Sequence, residues 1–295
     1  MRAPRWMVSL HGGHSQEYCD HAYSPLQEIL EAAVRAGYHT FGVTEHAPRV
    51  EARFLYRNEI ALGWGVDTLV TLFDRYARRL PALVEDFADR IELLRGFEIE
   101  VVPAASYVSL MREHRARYGF EYIVGSVHYV EEISIDGELE DFERAREACG
   151  GLEPLAVRYY QTVAQMVQAL QPEVVAHLDL IRLYGHRFGS LQTAAIRRAV
   201  EEALEAVRET GGILEINTAG YRKGLGEPYP AAWVVQLANR MGIGFCFGDD
   251  SHHVEHVGFG IHRAREYLLA NGVRTVTVLT RDPSGLERVT VPLDE

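Results

Sequence analysis

The sequence predicts an α/β protein in which parallel strands alternate with helices and close into a barrel. Three observations carry this. Short apolar runs alternate with helical stretches along nearly the whole chain, the pattern of repeated βαβ units. Almost every apolar run is followed by a histidine or a carboxylate. The length, 295 residues, suits one β/α barrel, whose strand ends converge on a single functional face. An open doubly wound sheet would also gather its strand ends at one edge, but along a line, which suits a compact cluster less well. One domain is expected over residues 1–295, with no low-complexity linker and no internal repeat.

The first strand is read at Trp6–Leu10, and His11, His14 and His21 follow it within eleven residues. A helix runs Leu26 to about Ala36, with Ser24 as N-cap, Pro25 at the first helical position, Gln27 as capping-box partner and Gly37 as the C-terminal stop. Thr40–Thr44 is the second strand and exits into Glu45-His46. Residues 47–66 read as an irregular active-site loop. Asp67 to Asp89 is a helix whose stripe of Leu69, Leu72, Phe73, Tyr76, Leu80, Leu83 and Val84 faces the core. Ile91–Glu100 is the third strand and carries Glu98 near its end; an unpaired carboxylate there would cost several kcal/mol, so it is salt-bridged or ligating.

Pro103 to Tyr118 is helical, and the fourth strand, Tyr122–Val127, runs straight into His128. Residues 131–152 read as a loop with an incomplete helix. Pro154–Leu170 is a helix, Glu173–Ala176 the fifth strand, and His177 follows. The helix Leu191–Thr210 ends at Gly211-Gly212 before the sixth strand, Ile213–Asn217. Its exit loop, Thr218–Tyr229, holds Arg222 and Lys223. Pro230–Met241 is helical, and the seventh strand, Gly244–Gly248, leads into Asp249-Asp250-Ser251-His252-His253. A helix near Gly260–Ala270 and a strand at Thr275–Leu279 close the chain.

The net charge is −12, from 30 basic and 42 acidic residues, which argues against a general nucleic-acid or anionic-membrane binder. Three cysteines, Cys19, Cys149 and Cys246, make no disulfide framework and fit a reducing compartment. The basic opening, Met1-Arg2-Ala3-Pro4-Arg5, is not followed by a signal-peptide core, and no run approaches the ~20 apolar residues of a membrane helix. The chain reads as soluble and cytoplasmic; its oligomeric state is left open.

The candidate metal ligands are His11, His14, His21, His46, Glu98, His128, His177, Asp250 and His252. His39, His114, His186, His253, His256 and His262 sit in helices or loops and are read as surface or locally bonded. Nine ligands exceed the needs of one ion, since zinc takes about four. They would serve two or three ions sharing a carboxylate, and such sites hydrolyse phosphate esters. Histidine-rich ligation fits Zn, Mn or Fe rather than Mg or Ca. Arg182, just past strand five, and Arg222-Lys223, just past strand six, are candidate phosphate anchors.

Five segments in order resemble the PHP (polymerase and histidinol phosphatase) metallohydrolases. They are Thr44-Glu45-His46-Ala47-Pro48, Gly96-Phe97-Glu98, Gly125-Ser126-Val127-His128, Ala176-His177-Leu178-Asp179 and Gly248-Asp249-Asp250-Ser251-His252. Asn217–Arg222 and Glu227–Pro230 resemble the histidinol-phosphatase branch. The resemblance implies a distorted (β/α)7 barrel with a trinuclear site. By position, His11, His14, Glu98 and Asp250 would hold one ion; Glu98, His128 and His177 a second; His21, His46 and His252 a third. Glu98, Asp250 and His252 would stand at the chemistry, and Arg182 and Arg222 would grip phosphate. Two positions depart from the pattern. The spacing is His11-Gly12-Gly13-His14 where the family has His-x-His, so His11 must reach across one extra residue, which two glycines permit. Glu45 stands where Asp is usual.

The implied reaction is hydrolysis of L-histidinol phosphate, a small phosphorylated substrate, in histidine biosynthesis. A phosphoesterase for another small phosphate or a nucleotide is the alternative, and a non-catalytic metal-binding protein on the same fold is the third reading.

Overall fold

A computed structural model describes residues 4–283 and 285–294; residues 1–3, in the basic opening, lie outside them. Among the described residues, seven parallel strands run Val8–Ser9, Thr40–Val43, Glu92–Arg95, Val124–Gly125, Val174–Val175, Ile213–Asn217 and Phe245–Gly248. The first three pair in chain order and so do the last four. The two ladders meet where Ile99 N–H donates to Val124 O (3.0 Å) and Val124 N–H donates to Phe97 O (3.0 Å). The ring closes where Leu10 N–H donates to Phe247 O (2.9 Å), which puts the first strand beside the seventh. The sheet is therefore a barrel and not an open layer, as the convergence of strand exits predicts. Several of its strands are only two residues long, because their exits curl inward to deliver side chains instead of continuing the ladder.

A helix follows each strand: Leu26–Ala36, Val66–Phe87, Tyr107–Tyr118, Leu152–Leu170, Ala194–Thr210, Ala232–Arg240 and Ile261–Ala270. All but Tyr107–Tyr118, which buries only Met111, bury an apolar stripe. Gly37 ends the first at φ 82°, its N–H bonding to the carbonyls of Ala33 and Val34. The Thr193 side chain accepts from Ile196 N–H and starts the fifth.

The barrel interior is filled by Tyr122, whose hydroxyl donates to Leu10 O (2.7 Å). A Cβ on Gly42 would collide with that hydroxyl, and one on Gly96 with the ring. Two glycines on neighbouring strands thus make room for one tyrosine.

Four expectations are corrected. Ser24 does not cap the first helix: Pro25 is the N-cap, Leu26 N–H donates to the Glu17 carboxylate (2.9 Å), and Ser24 Oγ accepts from Val254 N–H (3.1 Å). The helix expected from Pro103 begins at Tyr107. The 131–152 segment is more ordered than expected, with a hairpin of Tyr129–Val130 and Ile133–Ser134 and a complete helix, Leu139–Ala148. Only Phe142 and Ala145 of that helix are buried, so its apolar signal is weak. The last strand is longer, Thr275–Asp282, and pairs with an unforeseen partner, Gly285–Pro292, mostly exposed. This hairpin covers the strand starts, opposite the strand exits: Thr280 Oγ1 donates to Glu92 (2.9 Å) and Arg281 to Leu93 O (2.5 Å).

Gly42→Ala should force the Tyr122 hydroxyl off Leu10 O and cost about 1–3 kcal/mol of stability, as overpacked cores do. Urea unfolding of the two proteins checks this; equal midpoints would remove Tyr122 as the barrel's internal strut.

Candidate metal centre

At the strand exits the side chains turn toward one point. Glu98, 1% exposed, is at its middle. One of its oxygens, Oε2, lies 3.5 Å from His11 Nε2, 3.3 Å from His14 Nε2 and 2.9 Å from His46 Nδ1. The other, Oε1, lies 3.3 Å from His128 Nε2 and 3.1 Å from His177 Nε2. Asp250 Oδ1 closes the first group, 3.9 Å from His11 Nε2 and 3.5 Å from His14 Nε2. The extra residue after His11 does not displace it: a Cβ at Gly12 would strike Gly42 O and one at Gly13 would strike Ser251, so two bare backbones press against their neighbours and swing His11 inward.

These contacts are near, but many are not hydrogen bonds. His11 Nε2, both nitrogens of His14 and of His46, and Glu98 Oε2 are buried without a hydrogen-bond partner. The atoms aim at shared points between them and not at one another. Two ligands about 2.0–2.1 Å from a tetrahedral zinc stand about 3.3 Å apart, close to the spacings here. The donor set therefore fits divalent metals, and four donor groups emerge: His11, His14 and Glu98; His14, Asp250 and His252; His46, Glu98 and His128; and Cys19, His21, His46 and His252.

The electrostatics point the same way. Burial opposes charge on Glu98, but the imidazoles of His11, His46 and His128 outweigh it and hold the carboxyl well below its usual range. Burial also opposes charge on His11, and Glu98, Glu215 and Asp250 overcome it. His14 is pushed up to about 9, burial again being outweighed, here by Asp250 and Glu98. His46 and His252 go well below the ordinary histidine value through burial and the neighbouring His14. Carboxylates thus hold His11 and His14 up, while neighbouring imidazoles help hold His46 and His252 down.

A second layer of carboxylates sets the rings. Glu215 Oε1 is 3.0 Å from His11 Nδ1, while Glu215 Oε2 accepts from His177 N–H (2.8 Å) and from the Asn217 amide (3.0 Å). Glu100 Oε2 is 3.3 Å from His128 Nδ1, and Asp20 Oδ1 is 3.1 Å from His21 Nδ1. Glu45 Oε2 faces His14 Nδ1 at 3.8 Å and its other oxygen accepts from Ser15 N–H (2.9 Å) and Ser15 Oγ (2.6 Å). Such partners orient a ring and raise its basicity toward a metal. Glu215, Glu100 and Asp20 escaped the sequence reading. The signal for Glu215 was a lone acid within the apolar run Ile213–Asn217.

His11, His14, His46, Glu98, His128, His177, Asp250 and His252 come together, and His21 stands at the rim, its side chain 36% exposed. His177 (φ 22°) and Asp250 (φ 50°) hold left-handed backbone, a strain characteristic of functional positions. Arg222 also reaches the cleft, beside Glu98, His128, His177, Asp250 and His252. Its Nη2 donates to the carbonyls of Asp249 and Asp250 (2.8 Å each), and its Nη1 is buried and unpartnered. Lys223 lines the same cleft. Arg182 is placed elsewhere: it pairs with Asp179 (3.1 Å) and Glu227 (2.5 Å) in a recess with Tyr160 and Trp233. Beside the cleft opens a cavity of about 570 Å³, which shares His21, His46, Asp136 and Lys223 with it. Residues 53–58 of the 47–66 loop form one wall, and the 131–152 segment another. Of the six remaining histidines, His39, His186 and His262 have local partners in Thr40, Arg182 O and the Trp6 ring. His114 packs on Phe73, and His253 Nδ1 accepts from Glu255 N–H. His256 differs, because it lines the cleft.

Fold and donor set together define a β/α barrel that gathers ligands for more than one divalent ion at its strand exits. The PHP domain model matches residues 11–219, and the chain belongs to the PHP family. It is 31% identical to the "Probable histidinol-phosphatase" of Schizosaccharomyces pombe, over 94% of this chain and 91% of that one. It is 30% identical to the histidinol-phosphatase of Saccharomyces cerevisiae, over 88% of this chain and 87% of that one. The crystal structure of histidinol phosphate phosphatase from Lactococcus lactis, complexed with zinc, L-histidinol and phosphate, shares the fold. Its TM-score is 0.70 at 19% identity, covering 96% of this chain and 99% of that one.

Glu98→Gln should lower metal affinity by on the order of 100-fold or more, because one neutral amide replaces a charged ligand of two groups; isothermal titration with Zn²⁺ or Mn²⁺ measures it, and unchanged binding would refute the shared-ligand geometry. Glu215→Gln should lower affinity more mildly, by about 10–100-fold, with the fold intact by circular dichroism. An unaffected Kd would mean that the Glu215 contact to His11 does not tune the ring.

Proposed function

We propose that this chain hydrolyses L-histidinol phosphate to L-histidinol and phosphate. The observation that carries the reading is similarity over nearly the whole chain to the two fungal histidinol-phosphatases, in a protein whose ligand-type side chains meet at one point.

The residues divide the work as follows. His11, His14, Glu98 and Asp250 would hold one ion; Glu98, His128 and His177 a second; His21, His46 and His252 a third. Glu98 would serve both of the first two, one oxygen lying 3.3 Å from His14 and the other 3.1 Å from His177. Divalent ions there would supply Lewis acidity toward the phosphate oxygens and a more acidic bound water. Arg222 is held by two backbone carbonyls through Nη2, which leaves Nη1 to donate to a phosphate oxygen without reorganisation. Lys223 adds a second positive charge on the same wall. Arg182, paired with two carboxylates, would have to leave them to reach the phosphate.

The adjoining cavity falls within the usual range for a small-molecule site, roughly 300–1,000 Å³. Asp20, Glu132, Asp136, Glu138 and Asp141 line it. Glu132 is paired with Arg53 and Asp141 with Arg144, so Asp136 and Glu138 are the carboxylates of this wall that suit the ammonium group of an amino alcohol such as histidinol, while Arg57 and Lys223 also line the cavity. Tyr56 and Tyr129, nearly parallel at 6.2 Å, add aromatic surface to the same cavity.

The test is phosphate release from L-histidinol phosphate with added Mn²⁺ or Zn²⁺, with a chelated control and a set of other small phosphomonoesters. We expect turnover that EDTA abolishes, that metal restores and that favours histidinol phosphate over the others by at least on the order of 10-fold. Metal-dependent turnover confined to other esters would leave the chemistry standing and discard the substrate.

A further inference from the structure

Among the described residues, the one donor group without a carboxylate contains a donor that the reading above does not use. Cys19 Sγ lies with one ligand atom each of His21, His46 and His252, all within 4.8 Å of one another. The thiol is carried there by a tight turn in which the N–H groups of Tyr18 and Cys19 both donate to Ser15 O (3.0 and 2.9 Å). Cys19 is buried, and the chain bends back through Ala22 N–H to Cys19 O. This places two candidate ligands, two residues apart, on one side of the turn.

The spacing suits a shared ion. Cys19 Sγ is 3.5 Å from His21 Nε2 and 3.3 Å from its Nδ1. A thiolate about 2.3 Å and an imidazole about 2.0–2.1 Å from a tetrahedral zinc stand about 3.5 Å apart. Asp20 Oδ1 lies 3.1 Å from His21 Nδ1, which leaves Nε2 as the free nitrogen. Both ring nitrogens of His46 are buried with no hydrogen-bond partner. The rings of His21 and His252 stack at 4.7 Å. Neither Cys149 nor Cys246 shares such a group among the described residues.

We propose that Cys19 is a thiolate ligand of the third ion, and that this one-sulfur, three-imidazole set makes the position selective for zinc. The proposal rests on reading the site as a metal centre. On binding, the Cys19 S–H bond breaks, a sulfur–metal bond forms and one proton leaves to solvent; no electrons are transferred. Sulfur is a soft ligand that favours zinc over manganese, whereas the groups built on Glu98 and Asp250 offer hard oxygens. Four protein donors are also the composition of a closed zinc site, in contrast to a catalytic site with a vacant position. The centre would then hold one kind of ion at the rim for positioning and another kind in the interior for chemistry.

Cobalt(II) tests this because its bond to a thiolate gives a charge-transfer band in the near ultraviolet that imidazole and carboxylate ligands do not. Metal-free protein is titrated with Co²⁺ to saturation, and the spectrum and bound cobalt per chain are recorded together. We expect the band in the wild type and in a Cys149→Ser/Cys246→Ala double variant, whose only thiol is Cys19. We expect its loss in Cys19→Ser, with about one fewer cobalt bound. Zinc at one ion per chain should erase the band, and excess manganese should leave it. A saturated wild-type protein without the band, or the same band in Cys19→Ser, overturns the ligand assignment while leaving the metal centre intact. Erasure by manganese overturns the zinc selectivity. No cobalt bound at all overturns the metal-centre reading itself. The double variant keeps the question decidable if Cys19→Ser does not fold.

Discussion

Five imidazoles stand within 3.5 Å of the Glu98 carboxylate, and the fold serves to keep that carboxylate dry, charged and central. A buried carboxylate without partners is costly, and so is a buried cluster of imidazoles without an anion. Together they relieve one another, and the arrangement is possible only because a barrel brings strand exits from all round the ring to one place. His11, His46, Glu98, His128, His177 and Asp250 belong to six different exits. No local stretch could assemble them. The closure between Leu10 and Phe247 is therefore as much a part of the site as any ligand.

The second layer explains why the rings hold their positions. Glu215 reaches three groups at once: the His11 ring, the His177 backbone and the Asn217 side chain. A Cβ on Gly248 would collide with its carboxylate, so the neighbouring strand yields space to an acid that never needs to touch a substrate. Glu100 does similar work for His128 and is paired in turn with Arg49 at 3.4 Å. Charges buried this deeply in a barrel are tolerated because each has a partner.

Much of this was legible in the sequence, for identifiable reasons. Strands of a β/α barrel are apolar on both faces and end abruptly, so a histidine directly after Val127 or Ala176 stands out. The gathering of the ligands followed from topology alone. The outer carboxylates did not, because nothing in one dimension says that an acid on strand six stands behind a ring from strand one. Local chemistry misled at Ser24, a good capping residue whose task Glu17 performs from nine residues before Leu26. The Leu139–Ala148 helix buries only Phe142 and Ala145, and Gly285–Pro292, the second half of the terminal hairpin, buries only Val291, so neither carried a strong apolar signal. Arg182 sits at a plausible strand exit, but its destination depended on Glu227, 45 residues away.

Arg49 and Glu59 form a buried ion pair across ten residues, and the stretch they pinch off supplies Arg53, Phe54, Leu55, Tyr56, Arg57 and Asn58 to the cavity wall. That stretch is a handle fastened at both ends to the barrel and contributing no ligand of its own. Its shape can be rewritten without touching a donor atom, as long as the clasp survives. A molecule built this way separates what it can hold from what it can do to it: the jaw is exchangeable, the vice is not.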